Sequence, residues 1–241
     1  MSNMSNMSKR IFCIITHDKG LRFLYDVPCE IKSKLSHLNI EFEIFVLNSN
    51  DHSKRMCVEK IKNLPDNSKV IIFIHGGERY LTISRDGVRV AAGGLFEIPS
   101  DAYKNKHMII IACNSATLIP EMKKGGASSI AGFGEIDFAC DDLYQIEEIR
   151  TIERKAGKRP TRERFAKYLF RKALTDTIVY CEANSLPEHN FVKLFHYFSN
   201  FYADKLLLRE NIDGRTITLS RTKRILIAKF MQNVKESVVC L

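Results

Sequence analysis

Two short runs limit what this chain can become. Val70-Ile-Ile-Phe-Ile74 breaks abruptly into His75-Gly76-Gly77, and Met108-Ile-Ile-Ile111 breaks into Ala112-Cys113-Asn114-Ser115. Each run is strand-length, rich in β-branched residues and apolar at every position, the pattern of a central parallel strand buried on both faces. If the two strands are neighbours, His75 and Cys113 emerge side by side at their carboxyl ends. In open α/β sheets that edge is where chemistry is placed.

The chain order supports such a sheet. Residues 10–16 read as a first strand, 31–38 as a short amphipathic helix, 41–47 as a second strand and 53–64 as a helix closed by Pro65-Asp66. The third strand then ends in His75, which completes a βαβαβ order. Runs at 80–84 and 88–91 flank Arg85-Asp86-Gly87 and predict a hairpin directly after His75. The fourth strand ends in Cys113. Residues 120–124 suit a short helix, and the small-residue stretch 127–134 a fifth strand, where glycines permit close backbone approach. Helices are expected over 141–155 and 161–174, joined by Gly157-Lys-Arg-Pro160, and a sixth strand over 177–181. Beyond Leu186 the chain turns aromatic and helical, over 187–208 and 224–234. The expected fold is α/β: a three-layer sandwich whose mostly parallel central sheet is flanked by helices, with a small, mainly helical C-terminal extension. We divide it into an arm (1–9), a main domain (10–186) and an extension packed on that domain (187–241).

Composition narrows the class further. At 241 residues and 45% hydrophobic, the chain can bury a sizeable core without covalent staples. No window approaches the roughly 18 consecutive apolar residues of a membrane span. The polar start has no apolar h-region and is expected to be a flexible arm rather than a signal peptide. Seven scattered cysteines with no Cys-x-x-Cys pair fit reduced thiols in a cytoplasmic protein. The net charge of +9 is blocky: residues 150–172 hold ten Lys or Arg against two acids, after a window from Glu135 to Glu148 with six acids and no base. Such blocks usually mark solvated helices or an exposed loop. The basic window lacks interleaved aromatics before Phe165, so nucleic acid is not expected as a direct ligand.

Other chemistries find no footing. His75-Gly76-Gly77 resembles the oxyanion motif of α/β-hydrolases, but no Gly-x-Ser-x-Gly elbow exists. There is no Walker loop and no Gly-x-Gly-x-x-Gly after a strand. His189 and His196 lie seven apart on an aromatic helix, which suits packing better than a metal. No metal or cofactor is expected. A cysteine nucleophile, by contrast, needs a nearby base, a proton donor for the leaving amine and N–H donors for the oxyanion. His75 can serve the first two needs, and the N–H groups of Gly76 and Cys113 the third. Gly77 and the small Ala112 would leave room for a substrate backbone.

The order His75-Gly76 then Ala112-Cys113, each closing an apolar strand, resembles the caspase-like cysteine peptidases. The nearest resemblance is to the bacterial CHAT proteins, whose strand, Ala-Cys-x-Ser-Ala, short helix and small-residue strand are similar to residues 111–132. It covers roughly residues 10–180. It implies a caspase–haemoglobinase fold, Cys113 as nucleophile, His75 as general acid/base and Gly76 N–H in the oxyanion hole. It also implies a protein or peptide substrate, an activating protein partner, and a setting in regulated bacterial defence or cell death. The aspartate that metacaspases carry two residues before the cysteine is Ile111 here.

In relatives the fifth strand and the loop after it wall the S1 pocket. Glu135, Asp137 and Asp141 would there select an Arg or Lys before the scissile bond, although Asp141 also suits a helix N-terminus. Two alternatives stay open. One is a catalytically inactive module of the same fold that recruits a partner through its basic segment. The other is a flavodoxin-like sensor using the same sheet edge.

Overall fold

A computed structural model describes residues 9–16, 19–77, 80–83, 94–136, 161–214, 217 and 219–241. Its centre is a six-stranded sheet in the order β2-β1-β3-β7-β8-β9. The strands are β1 (Lys9–Thr16), β2 (Ile40–Leu47), β3 (Lys69–Phe73), β7 (His107–Ile111), β8 (Ser129–Phe133) and β9 (Val238–Cys240). The first five in that order run parallel, and β9 closes the edge antiparallel to β8. A second, three-stranded antiparallel sheet, β4 (His75–Gly77), β5 (Tyr80–Ile83) and β6 (Gly94–Phe96), projects from the carboxyl end of β3.

Burial explains the apolar runs. All five residues of β3 are buried, as are four of the five in β7, because helices cover both faces of these central strands. On one face Ile71, Phe73, Ile109 and Ile111 pack with α1 (Val27–Lys34), α5 (Thr161–Ala183), α6 (Asn190–Leu208) and α7 (Arg221–Glu236). On the other, Val70, Ile72, Met108 and Ile110 pack with α2 (Asp51–Lys62), α3 (Ser100–Tyr103) and α4 (Ile119–Lys124). The result is a three-layer α/β sandwich. Phe133 of β8 anchors the first layer, with Phe195 edge-on at 5.3 Å and Phe170 at 5.9 Å between ring centroids.

Local signals place the helices. Asn50 caps α2 by accepting the Ser53 N–H at 2.8 Å. Pro120 sits in the first turn of α4, where its missing N–H is not needed. The same tolerance at Pro28 lets α1 begin at Val27, four residues before the expected start, and it ends at Lys34 rather than Leu38.

Three expectations need correction. Residues 177–181 are not a strand but part of α5, which continues to Ala183. Leu169, Phe170, Ala173, Leu174, Ile178 and Cys181 carry the helical spacing straight through that β-branched stretch. Thr177 settles into it by donating its hydroxyl to the Ala173 carbonyl at 2.6 Å. The sixth strand comes instead from Val238–Cys240, three residues too short to show a period. Finally, β3 ends at Phe73, and His75 opens β4 rather than closing β3. The expected turn at 85–87 and the helix over 141–155 lie outside the described residues. No helix among the described residues is long and apolar enough to cross a membrane.

Candidate active site

Register puts the two strand ends together. Phe73 of β3 pairs with Ile111 of β7, and the ladder runs one step further, with Ile74 N–H donating to the Ile111 carbonyl at 3.3 Å. His75 and Cys113 therefore lie at the same offset, two residues past a matched pair. Adjacent strands lie about 4.8 Å apart, so the two main chains leave the sheet as neighbours.

Alternation then sets the faces. Phe73 and Ile111 point into the layer of α5 and α6, Ile74 and Ala112 into the opposite one, and Cys113 returns to the first, half-buried against it. Gly76 pairs with Leu81, which belongs to the opposite layer.

Gly76 is fixed by contact rather than by turn geometry. A Cβ there would fall 2.0 Å from the Cys113 carbonyl oxygen and 3.0 Å from the Ala112 Cβ, so only glycine lets β4 lie against the Cys113 main chain. Ala112, expected to leave room for a substrate backbone, is 2% exposed, and the close approach it permits is that of Gly76. A Cβ at Gly77 would meet the Tyr80 ring at 2.5 Å, so that ring covers the glycine.

The turn after Cys113 is held from below. Asn114 adopts the left-handed conformation (φ 57°), which asparagine tolerates better than most residues. Its N–H donates to the Gly134 carbonyl at 2.8 Å. Ser115, 1% exposed, accepts the Phe133 N–H at 2.9 Å, and its hydroxyl lies 2.8 Å from both the Ile110 and Ala112 carbonyls. Gly132 makes this clamp possible, since a Cβ there would sit 3.0 Å from the Ser115 carbonyl carbon. The sequence motif contained Ser115, but its role is legible only once β8 lies alongside.

The Cys113 thiol donates to the Ile136 carbonyl at 3.5 Å. Of the residues expected to form an acidic pocket, Glu135 is exposed at the mouth of this loop, and Asp137 and Asp141 lie outside the described residues. The other described cysteines, Cys13, Cys29, Cys57, Cys181 and Cys240, are free. Burial pushes the Cys57 thiol up to about 12 and the Cys181 thiol up to about 11, and raises Cys13 and Cys240, so these four are poor nucleophiles. Among the described residues no group of three or more His, Cys, Asp or Glu could hold a metal ion.

A second polar cluster, which sequence reasoning missed, occupies the opposite edge of the sheet. Lys69, 3% exposed, pairs with buried Glu182 of α5 and reaches Glu188 at 3.4 Å. Lys9 Nζ lies 2.7 Å from Glu182 Oε2, a charge contact outside hydrogen-bonding angles. His107 Nδ1 lies 2.9 Å from Ser129 Oγ and 3.4 Å from Glu188. The available signal was a lysine set directly before a wholly apolar run, since a buried charge requires a partner.

Fold and edge together define an α/β sandwich with a cysteine and a histidine brought to one carboxyl edge. No protein-family model matches the chain, and no curated protein matches it.

Proposed function

We propose that the chain is a caspase-like cysteine endopeptidase, similar to the CHAT proteins, that cleaves a protein partner with Cys113 as nucleophile and His75 as general acid/base. The observation that supports this reading is the matched register of β3 and β7, whose chains both leave the sheet at one carboxyl edge, with Gly76 against the Cys113 main chain. In this mechanism His75 takes the thiol proton as Cys113 Sγ attacks the scissile carbonyl. The N–H groups of Gly76 and Cys113 receive the oxyanion, and His75 returns the proton to the leaving amine. Water, deprotonated by His75, then releases the acyl group. Glu135 supports a preference for Arg or Lys before the scissile bond. A cytoplasmic setting, an activating protein partner and a role in bacterial defence or cell death belong to the same proposal.

A non-catalytic binding module is the second reading, and the hydrogen bond from the thiol to the Ile136 carbonyl favours it, because that contact ties the thiol to the neighbouring loop main chain. Site-resolved iodoacetamide labelling near neutral pH separates the two. Exposed Cys29 serves as the internal reference. The peptidase reading expects Cys113 to label faster than Cys29, by about tenfold or more for an activated thiolate, and His75→Ala to remove that excess. It also expects cleavage of Arg- or Lys-containing fluorogenic peptides, abolished by Cys113→Ala. A Cys113 slower than Cys29 in the unmodified protein would overturn it.

A further inference from the structure

Two clefts flank β6, and they differ in how their charges are used. One, of about 680 Å³, lies against α2 and is lined by acids and bases together. Lys54 there lies 3.8 Å from Asp51, and Lys62 reaches Asp101 at 2.6 Å, so its charges are partly neutralised already. The other, of about 690 Å³, lies between the β5–β6 hairpin and the α3–α4 side of the sheet. Its walls are apolar and aromatic: Tyr80, Phe96, Ile98, Tyr103, Leu118 and Met122. Its only charged lining residues among those described are Glu121 and Glu97, the latter shared with the first cleft. Neither glutamate has an ion-pair partner among the described residues.

That pairing of lining and charge is unusual in a chain of net charge +9. Glu121 bears directly on the cleft wall: burial, and after it the Glu121 carboxylate, raise the Tyr103 phenol above its ordinary range. Tyr80, 48% exposed, presents its ring at the rim. The volume falls within the range of sites that take a ligand, and such sites are mostly apolar with a few directing polar groups. An apolar, aromatic wall with a carboxylate at its mouth suits one side-chain chemistry above others. The methylene stem of an arginine or lysine packs on the wall, its cationic head meets the carboxylate, and a guanidinium also stacks on tyrosine.

We propose that this cleft binds a peptide segment carrying an arginine or lysine beside a large apolar residue. The apolar residue packs on Phe96, Ile98 and Met122, while the cation is held by Glu97 and Glu121. The site is distinct from the one at Cys113, and none of His75, Gly76, Gly77 or Cys113 lines it. The inference concerns binding alone and stands whether or not Cys113 is a nucleophile.

The test is a ¹H–¹⁵N NMR titration of the full chain with three probes: acetyl-Phe-Arg amide, its citrulline counterpart and acetyl-Phe-Glu amide. Citrulline keeps the shape of arginine and removes its charge. The arginine peptide is expected to give saturable shifts confined to residues 80–83, 94–103 and 118–122. Citrulline is expected to bind about fivefold more weakly, the scale of an exposed charge pair, and the glutamate peptide more weakly still. In Glu97→Gln/Glu121→Gln, with the rest of the spectrum unchanged, arginine and citrulline peptides should bind alike. Absence of saturable shifts in those residues, or equal binding of arginine and citrulline peptides to the unmodified chain, overturns the proposal. Cys113 labelling plays no part in this readout, so its failure and the failure of the peptidase reading are separable.

Discussion

The two edges of the central sheet are built from the same strands and solve opposite problems. At the amino edge Lys9, Lys69, His107 and Ser129 each begin a parallel strand, and Glu182 and Glu188 close over them. Charge there is buried and compensated, so the edge ties the helical layer to the sheet. At the carboxyl edge β3 and β7 release His75 and Cys113 only half-buried. What is fixed tightly is the main chain around them, through Gly76, Asn114 and Ser115. One edge uses its polar groups to hold the fold. The other uses its backbone to hold two polar groups within reach of solvent, which is the condition for reactivity.

That contrast is broken most severely at Glu182. Removing one member of a buried ion pair leaves the other charge uncompensated, a loss of about 3–5 kcal/mol. Glu188 lies 3.4 Å from Lys69 and offsets part of this, so Glu182→Ala should destabilise by about 3 kcal/mol. Cys113→Ala and His75→Ala, at half-buried positions outside the central six-stranded sheet, should each stay within about 1 kcal/mol of the parent. Urea unfolding of the three variants measures this directly. A Cys113→Ala loss as large as that of Glu182→Ala would make the carboxyl edge structural, and the contrast would collapse.

Sequence showed one edge far better than the other, and the reason is physical. The β3 and β7 runs advertise themselves because burial on both faces demands apolar residues throughout, and a run that stops in His-Gly-Gly or Ala-Cys-Asn-Ser marks its own end. The adjacency of residues 75 and 113 at one edge then follows from a register the runs already imply. The Lys69–Glu182 pair spans 113 positions. No local pattern links a lysine before a strand to a glutamate near the end of a helix. The misread stretch 177–181 failed for a related reason. Thr-Ile-Val-Tyr-Cys has strand propensity, but it continues a helical face begun at Ala166, and tertiary burial outweighs propensity. Val238–Cys240 is held by β8 and carries no periodic signal of its own.

A smaller break lies at Ser115, the clamp beneath the cysteine loop. Ser115→Ala leaves the buried Phe133 N–H without its acceptor, a cost of about 1–3 kcal/mol. It also frees the turn that fixes Cys113 against Gly76. The expected result is a modest drop in the unfolding midpoint together with a Cys113 labelling rate that approaches that of Cys29. Loss of stability with labelling unchanged would show that β7 and Gly76 alone position the thiol, and would confine Ser115 to holding β7 against β8.

The gentlest probe is pH, which acts on the two edges differently. Burial, with Lys69 adding to it, lowers His107 below its ordinary value even against the pull of Glu188. Burial alone would raise Glu188, but Lys69, a backbone hydrogen bond and His107 together outweigh it and hold that carboxyl low. Below about pH 6.5 the unfolded chain takes up the histidine proton while the folded chain resists it, and further down the unfolded carboxylate protonates first. Both differences favour unfolding, so stability falls as pH falls from about 6.5. Lys69 itself is raised, because Glu182 overcomes the effect of burial, and its contribution is lost only above the ordinary lysine range. Buried thiols such as Cys57 and Cys181 set the alkaline limit sooner, since the unfolded chain ionises them from about pH 8.5. A stability plateau between about pH 6.5 and 8.5 is therefore expected, read from urea midpoints across the range. His107→Gln should flatten its acid limb. An acid limb that survives His107→Gln unchanged would take the titration away from the amino edge and undo the role given to its buried charges.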